Sequence, residues 1–201
     1  MTDFGVLFTA AMITAQLEGR KTQTRRPAWG ERMSRPGSAG YVPVKRTVAT
    51  RWQKVQPSDR LWCREAHSFG SYSVDQAKRR YDNGQNPIVY GTDRERFKQY
   101  EAFGWRPSIH MPRWASRITW DVTAKKIERL QDILHDDCIA EGVAGSGNKW
   151  MNYASGEMEF MNAKASYKSL YESIHGKGSW DANPWVVAVT GNVRLSNIDK
   201  P

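Results

Sequence analysis

Between Phe8 and Glu18 the apolar residues Ala10, Ile13 and Leu17 keep helical spacing, so a helix is predicted there, with Thr9 as N-cap and Gly19 at its left-handed end. Phe160, Ala163, Tyr167, Leu170 and Ile174 repeat the pattern as far as Gly176 and predict the longest amphipathic helix. "RITWDVTAKKIERL", Arg117 to Leu130, alternates instead. Ile118, Trp120 and Val122 face one way and Thr119, Asp121 and Thr123 the other, as in a long half-buried strand. "DRLWCREA" alternates as well, with Leu61, Cys63 and Glu65 set against Trp62 and Arg64. "QDILHDDCIAEGV" predicts a short helix ended by Gly142, and the apolar run Trp185–Val189, after a turn containing Pro184, predicts a buried strand.

Other stretches lack a period. Residues 27–59, broken by Pro27, Pro36, Gly37, Gly40, Pro43 and Pro57, predict a loop with one short strand between Tyr41 and Val48. Residues 67–104 are polar, basic and punctuated by Gly, Asn and Pro, and are predicted to be an insertion with one Arg/Lys-rich helix around Asp93–Phe103. Gly145, Ser146 and Gly147 predict a flexible loop. No repeat or heptad is present, and 201 residues suit a single domain, 1–201, carrying that insertion.

Composition adds that the core is aromatic. The chain is 39% hydrophobic and 25% charged, with nine Trp, eight Tyr and six Phe, which excludes a disordered chain. Thirty Lys+Arg against twenty-one Asp+Glu leave +9, and the pI near 9.7 favours a polyanion such as nucleic acid as partner. With only Cys63 and Cys138, no signal peptide, and no apolar run of the roughly 18 residues that cross a bilayer, the expected setting is a reduced cytoplasm, without membrane or disulfide.

The four His and two Cys stand far apart, without zinc-deaminase or C-x-x-C spacing, so no metal is expected. No Walker or dinucleotide glycine motif occurs either, and no cofactor is expected. The densest chemistry is "GRKTQTRR", Gly19 to Arg26. A desolvated Lys21 with lowered pKa can take the proton of Thr24, a carboxylate such as Glu141 can pass it to a leaving amine, and Arg26 can hold an anion. The competing view is a solvated basic rim of Lys21, Arg25 and Arg26, with Thr22 and Thr24 suiting a strand and Glu141 pairing with one of the cations. In a regular strand Lys21 and Thr24 point to opposite faces, so their convergence needs an irregular start. "WRPSIHMPRWASRITW" interleaves Arg106, Arg113 and Arg117 with Trp105, Trp114 and Trp120, which suits unpaired bases or, equally, core tryptophans with arginines at the rim.

Gly19, Lys21 and Arg26 also fit a G-x-K-x-x-x-x-R signature, followed by "DRLW" at Asp59–Trp62 and a helix end at Cys138–Gly142. On these segments the chain resembles the activating-signal-cointegrator homology (ASCH) domains of the PUA-like superfamily. "RPSIHMPRWASRI" and "WDANPWV" are similar to the bacteriophage and prophage branch. The chain departs from the pattern at Thr24, where many members carry Glu, and at Ser58, where Gly is usual. The resemblance implies an α+β fold with a PUA-like β-barrel of about five or six strands and flanking helices. A bacterial branch with Thr at this position hydrolyses the acyl amide of N(4)-acetylcytidine. That implies Thr24 as nucleophile, or a water activated by Lys21 or Glu141, with Lys21 as base, Glu141 as proton shuttle and Arg26 orienting the anion or substrate. Other members bind RNA or modified bases, which implies phosphate contacts by Lys21, Arg26, Arg113 and Arg117 with a base stacked on Trp114. Some are ribonucleases. The expected partner is therefore a modified nucleoside, RNA or single-stranded DNA, and fold alone does not choose among the three activities.

Overall fold

A computed structural model of the chain describes residues 1–33, 45–93 and 98–200, and the protein is a mixed α+β structure. Its strands are β1 (Asp3–Leu7), β2 (Gln23–Pro27), β3 (Trp29–Met33), β4 (Lys45–Ala49), β5 (Arg60–Arg64), β6 (His67–Ser68), β7 (Val89–Tyr90), β8 (Thr119–Arg129), β9 (Gly145–Ser146), β10 (Lys149–Met151), β11 (Met158–Phe160) and β12 (Trp185–Arg194). Its α-helices are α1 (Ala10–Leu17), α2 (Val74–Asp82), α3 (His135–Ala140) and α4 (Ala163–His175). The chain divides into two compact units: Met1–Arg20, Ser58–Val122 and Gly191–Pro201 form the first, and Lys21–Pro57 and Thr123–Thr190 the second.

In the first unit, β1 pairs parallel with β5, from Asp3 opposite Arg60 to Leu7 opposite Arg64, and β5 pairs antiparallel with the start of β8. Leu61, Trp62 and Cys63 are all buried, so β5 is covered on both faces rather than one. Fully buried Trp120 stacks on Phe8 at 5.8 Å and donates its indole N–H to Gln16 Oε1 at 2.9 Å. That interaction explains why polar Gln16 lies on the inner face of α1. Thr9 caps α1 and Gly19 follows it at φ 73°, as the pattern predicts.

The predicted insertion lies in this unit. Its α-helix is α2, capped by a reciprocal Ser73 and Gln76 box, and not the stretch around Asp93–Phe103. There, Gly91–Asp93 and Lys98–Phe103 are 3₁₀ turns, and residues 94–97 lie outside the described residues. The segment has its own core, Phe69, Ala77, Ile88 and Tyr90, shared with Met111 and Ala115. Asn197 Nδ2 ties the C-terminal segment to it by donating to the carbonyls of Arg113, Trp114 and Ser116 at 3.0, 3.1 and 2.7 Å.

Gly191, in β12, has no room for a side chain: a Cβ there meets the Asp121 carbonyl oxygen at 2.8 Å. Gly191→Ala should destabilise the protein by about 1–3 kcal/mol, read as a lowered urea midpoint with unchanged slope.

In the second unit β2 pairs antiparallel with β12, and β3 with β4. Of the predicted strand over Tyr41–Val48, residues 41–44 lie outside the described residues, and β4 carries the rest. Helices α3 and α4 enclose a core of Leu130, Ile133, Cys138, Tyr167, Leu170 and Val186. Phe160, expected to open the long helix, belongs to β11, and Asn162 caps α4. The predicted loop at 145–147 instead starts a three-stranded meander, β9-β10-β11. Among the described residues, no strand pairing closes a barrel.

Candidate active site

Helix α1 stops at Gly19 because glycine takes the left-handed conformation cheaply, and the basic octet follows. Lys21 forms an isolated antiparallel bridge with Glu141, Thr22 N donates to Ala140 O at 2.8 Å, and β2 begins only at Gln23. Lys21, Gln23 and Arg25 all send their side chains to Glu141 or Asp137, so these alternate residues share one face. Glu141 comes from the other side of the bridge as the C-cap of α3, with Gly142 at φ 88° ending the helix.

Lys21 is completely buried, and its Nζ donates to Glu141 Oε2 at 2.8 Å, Glu141 O at 2.9 Å and Gln23 O at 2.8 Å. Three acceptors match the three protons of an ammonium. Arg25, also buried, crosses the same space. Its Nη1 reaches Glu141 Oε1 at 3.2 Å, its Nε and Nη2 reach Glu128 Oε1 at 2.9 and 2.7 Å, and Nη2 also reaches Asp137 Oδ2 at 3.0 Å. Glu141 thus lies between two cations, and a solvated basic rim is excluded for Lys21 and Arg25. The ion pairing that view assigned to Glu141 is present, and doubled.

Burial holds the Lys21 ammonium below its ordinary pKa of 10.5; Glu141 opposes the shift, while the charges of Arg26 and Arg25 add to it. Desolvation and neighbouring cations thus pull a proton off Lys21 against a carboxylate that would keep it there. Arg25 acts on both partners. By sharing Glu141 it weakens that hold, and its own charge disfavours the ammonium.

Thr24 is buried in β2 opposite Val189, directly after the Gln23 carbonyl that accepts from Lys21. One peptide therefore separates the residue touching the ammonium from Thr24. Arg26, half-buried, lies over the Trp52 ring at 5.5 Å, and Arg51 lies over the same ring at 4.9 Å. Burial, with the Arg26 charge, holds the His175 imidazole below its ordinary range.

Lys21, Thr24, Arg26 and Glu141 belong to the second unit, whereas Arg113, Trp114 and Arg117 belong to the first. Arg113 is engaged by Asp3 and Asp199, each at 2.6 Å. Arg117 grips Glu65 through Nε at 2.9 Å and Nη2 at 3.0 Å and covers the Tyr90 ring at 3.9 Å. Half-buried Trp114 stacks on Phe69 at 5.4 Å and meets Tyr81 at the same distance. Both guanidiniums are thus already paired with carboxylates.

Sequence reasoning missed Arg25, Asp137 and Glu128 as parts of the charge cluster. The signal available was the paired "DD" at 136–137 beside an arginine-rich octet, a complementarity without a distance. Among the described residues, no group of three or more His, Cys, Asp or Glu is placed to hold a metal, and no helix is long and apolar enough to cross a membrane. Comparison of the chain with protein-family models, curated proteins and solved structures returns no match.

Proposed function

We propose that the protein is an amidohydrolase that removes the acyl group from N(4)-acylated cytidine or a related modified nucleoside. The observation that carries this reading is the buried contact of 2.8 Å between Lys21 Nζ and Glu141 Oε2. A lysine whose pKa burial lowers gives up its proton more readily than an exposed one and can serve as a base. On this reading Lys21 takes the Thr24 proton and hands it to Glu141, Oγ1 bonds to the acyl carbon, and the carbon–nitrogen bond breaks as Glu141 passes that proton to the leaving amine. Water then hydrolyses the threonyl ester, and Arg26 orients the nucleoside. The reading goes with membership of the ASCH branch of the PUA-like superfamily, in a phage or prophage protein working in the bacterial cytoplasm.

The test is cytidine release from N(4)-acetylcytidine, followed by chromatography. Wild type should turn over, and Lys21→Ala and Thr24→Ala should each lose at least about a hundredfold in kcat/KM. The wild-type rate should rise with pH and level off below the ordinary lysine pKa of 10.5. Full activity in folded Thr24→Ala would transfer the nucleophile's role to water, and no release by folded wild type would remove the reading.

One observation favours a second reading, a non-catalytic module for RNA or modified DNA. The register of β3 and β4 sets exposed Arg32 opposite exposed Arg46, a like-charge pair that costs stability until an anion covers it. Oligonucleotide affinity falling steeply with salt, without turnover, is its signature.

A further inference from the structure

The first unit contains a cavity of about 430 Å³ that the proposed hydrolysis does not use. Phe8 and Trp105 give it aromatic walls, and Thr9, Thr92, Ser108 and Glu65 bring polar atoms to it. Glu65 sets its chemistry. The residue is 4% exposed, and its carboxylate is fixed by the two-pronged grip of Arg117 and by the Thr92 hydroxyl at 3.4 Å from Oε2. Thr92 spends its one donor on Glu65, and its oxygen also accepts from Arg117 Nη2 at 2.6 Å.

A carboxylate offers about four lone-pair sites, two on each oxygen. Arg117 takes one on Oε1 and one on Oε2, and Thr92 takes another on Oε2. Oε1 keeps acceptor capacity for one further donor. Arg117 is shared between Glu65 and Asp93, the latter at 3.3 Å from its Nη1, so these three groups together carry one net negative charge. An anionic ligand is therefore disfavoured, and an N–H donor on a flat neutral ring fits both the carboxylate and the walls.

We infer that this cavity binds a neutral planar heterocycle carrying an exocyclic amino group, a nucleobase or nucleoside of the cytosine or adenine type, with the amine donating to Glu65 and the ring lodged against Phe8 and Trp105. The site stands apart from the hydrolytic residues, and its existence does not depend on that reaction.

Calorimetric titration of the full chain with cytidine, adenosine and uridine tests it, alongside two variants. Ala10→Phe places a ring in the cavity from an exposed position of the first turn of α1 that lines it. Glu65→Gln removes the charged acceptor. Cytidine or adenosine should bind wild type about tenfold more tightly than uridine, the ratio expected of one hydrogen bond to a charged group. Ala10→Phe should weaken that binding at least tenfold without changing the thermal melt. Absence of binding, equal affinity for uridine, or binding untouched by Ala10→Phe would each overturn the inference. The last result would move the nucleoside to another site, whatever becomes of the hydrolase reading. An oligocytidine arm separates the two sources of the base: affinity no greater than that of cytidine identifies a free nucleoside, and greater affinity, still lost in Ala10→Phe, a base presented by a strand.

Discussion

Arg25→Met should lower the unfolding free energy by about 3–5 kcal/mol, the range for removing one partner of a buried ion cluster. The guanidinium, with its side chain fully buried, contacts Glu128, Asp137 and Glu141, of which Glu141 is 3% exposed. Methionine fills much of the volume but leaves those carboxylates one cation short. Lys21 still serves Glu141, and Lys126 still serves Asp137 at 2.6 Å, which keeps the cost from rising further. Arg25→Lys should recover only part of the loss, because a single ammonium cannot span three carboxylates as a planar fork does. Urea unfolding of the three proteins measures this. A loss under about 1 kcal/mol in Arg25→Met would mean that the cluster adds little to stability. In the same variant the Lys21 ammonium loses a repelling cation and gains a more available carboxylate. The pH at which hydrolysis levels off should then rise, a response that a purely structural arginine would not produce.

Acidification should cost about 3 kcal/mol between pH 6.5 and 4 through His67 alone. The ring is completely buried; its Nδ1 faces the Glu65 carbonyl at 3.3 Å, and among the described residues Nε2 has no partner. Burial lowers its pKa from 6.5 to about 4, and the charges of Arg106 and His110 add to the shift against the Glu65 carbonyl. The folded pKa lies below the unfolded one, so above pH 6.5 both states hold neutral imidazole. As pH falls below that, the unfolded chain gains a proton that the folded protein refuses until about pH 4, and stability falls through that window. The difference between wild type and His67→Gln, measured by urea unfolding at several pH values, isolates this residue from the carboxylates titrating nearby. Parallel curves for the two proteins would show that His67 protonates in the fold without penalty.

The elements legible in the sequence are those whose pattern runs long enough to be unambiguous. Helices α1 and α4 and strands β8 and β12 were marked by period and by cap or turn residues at their ends. β1 is five residues, "DFGVL", without alternation, and exists because β5 offers it a parallel edge. The β9-β10-β11 meander is hidden by glycines, one of which the packing requires: a Cβ on Gly145 would meet the Trp150 ring at 2.7 Å. Helix α2 fully buries only Ala77, and the pattern Val74, Ala77 and Tyr81 is too short to stand out in a polar, basic segment. For the site, the octet and Glu141 were legible as chemistry, and their junction was not. Arg25 had a place only in the competing view of a solvated rim, because its partners Glu128, Asp137 and Glu141 lie 103, 112 and 116 residues away. Local pattern carries no information at that range.

The division of the chain into interleaved segments sets the order in which the protein can be made. The first unit opens with Met1 yet includes β12 from Gly191 onward and the Asn197 amide that holds three carbonyls. The second opens at Lys21 and closes with the strand that pairs with β2. During translation neither unit can complete its core until β12 has emerged from the ribosome. The core of Leu130, Cys138, Tyr167 and Leu170, which packs on Val186 of β12, therefore closes only after β12 has been made, whereas the core around Phe69 and Ile88 needs no part of that strand.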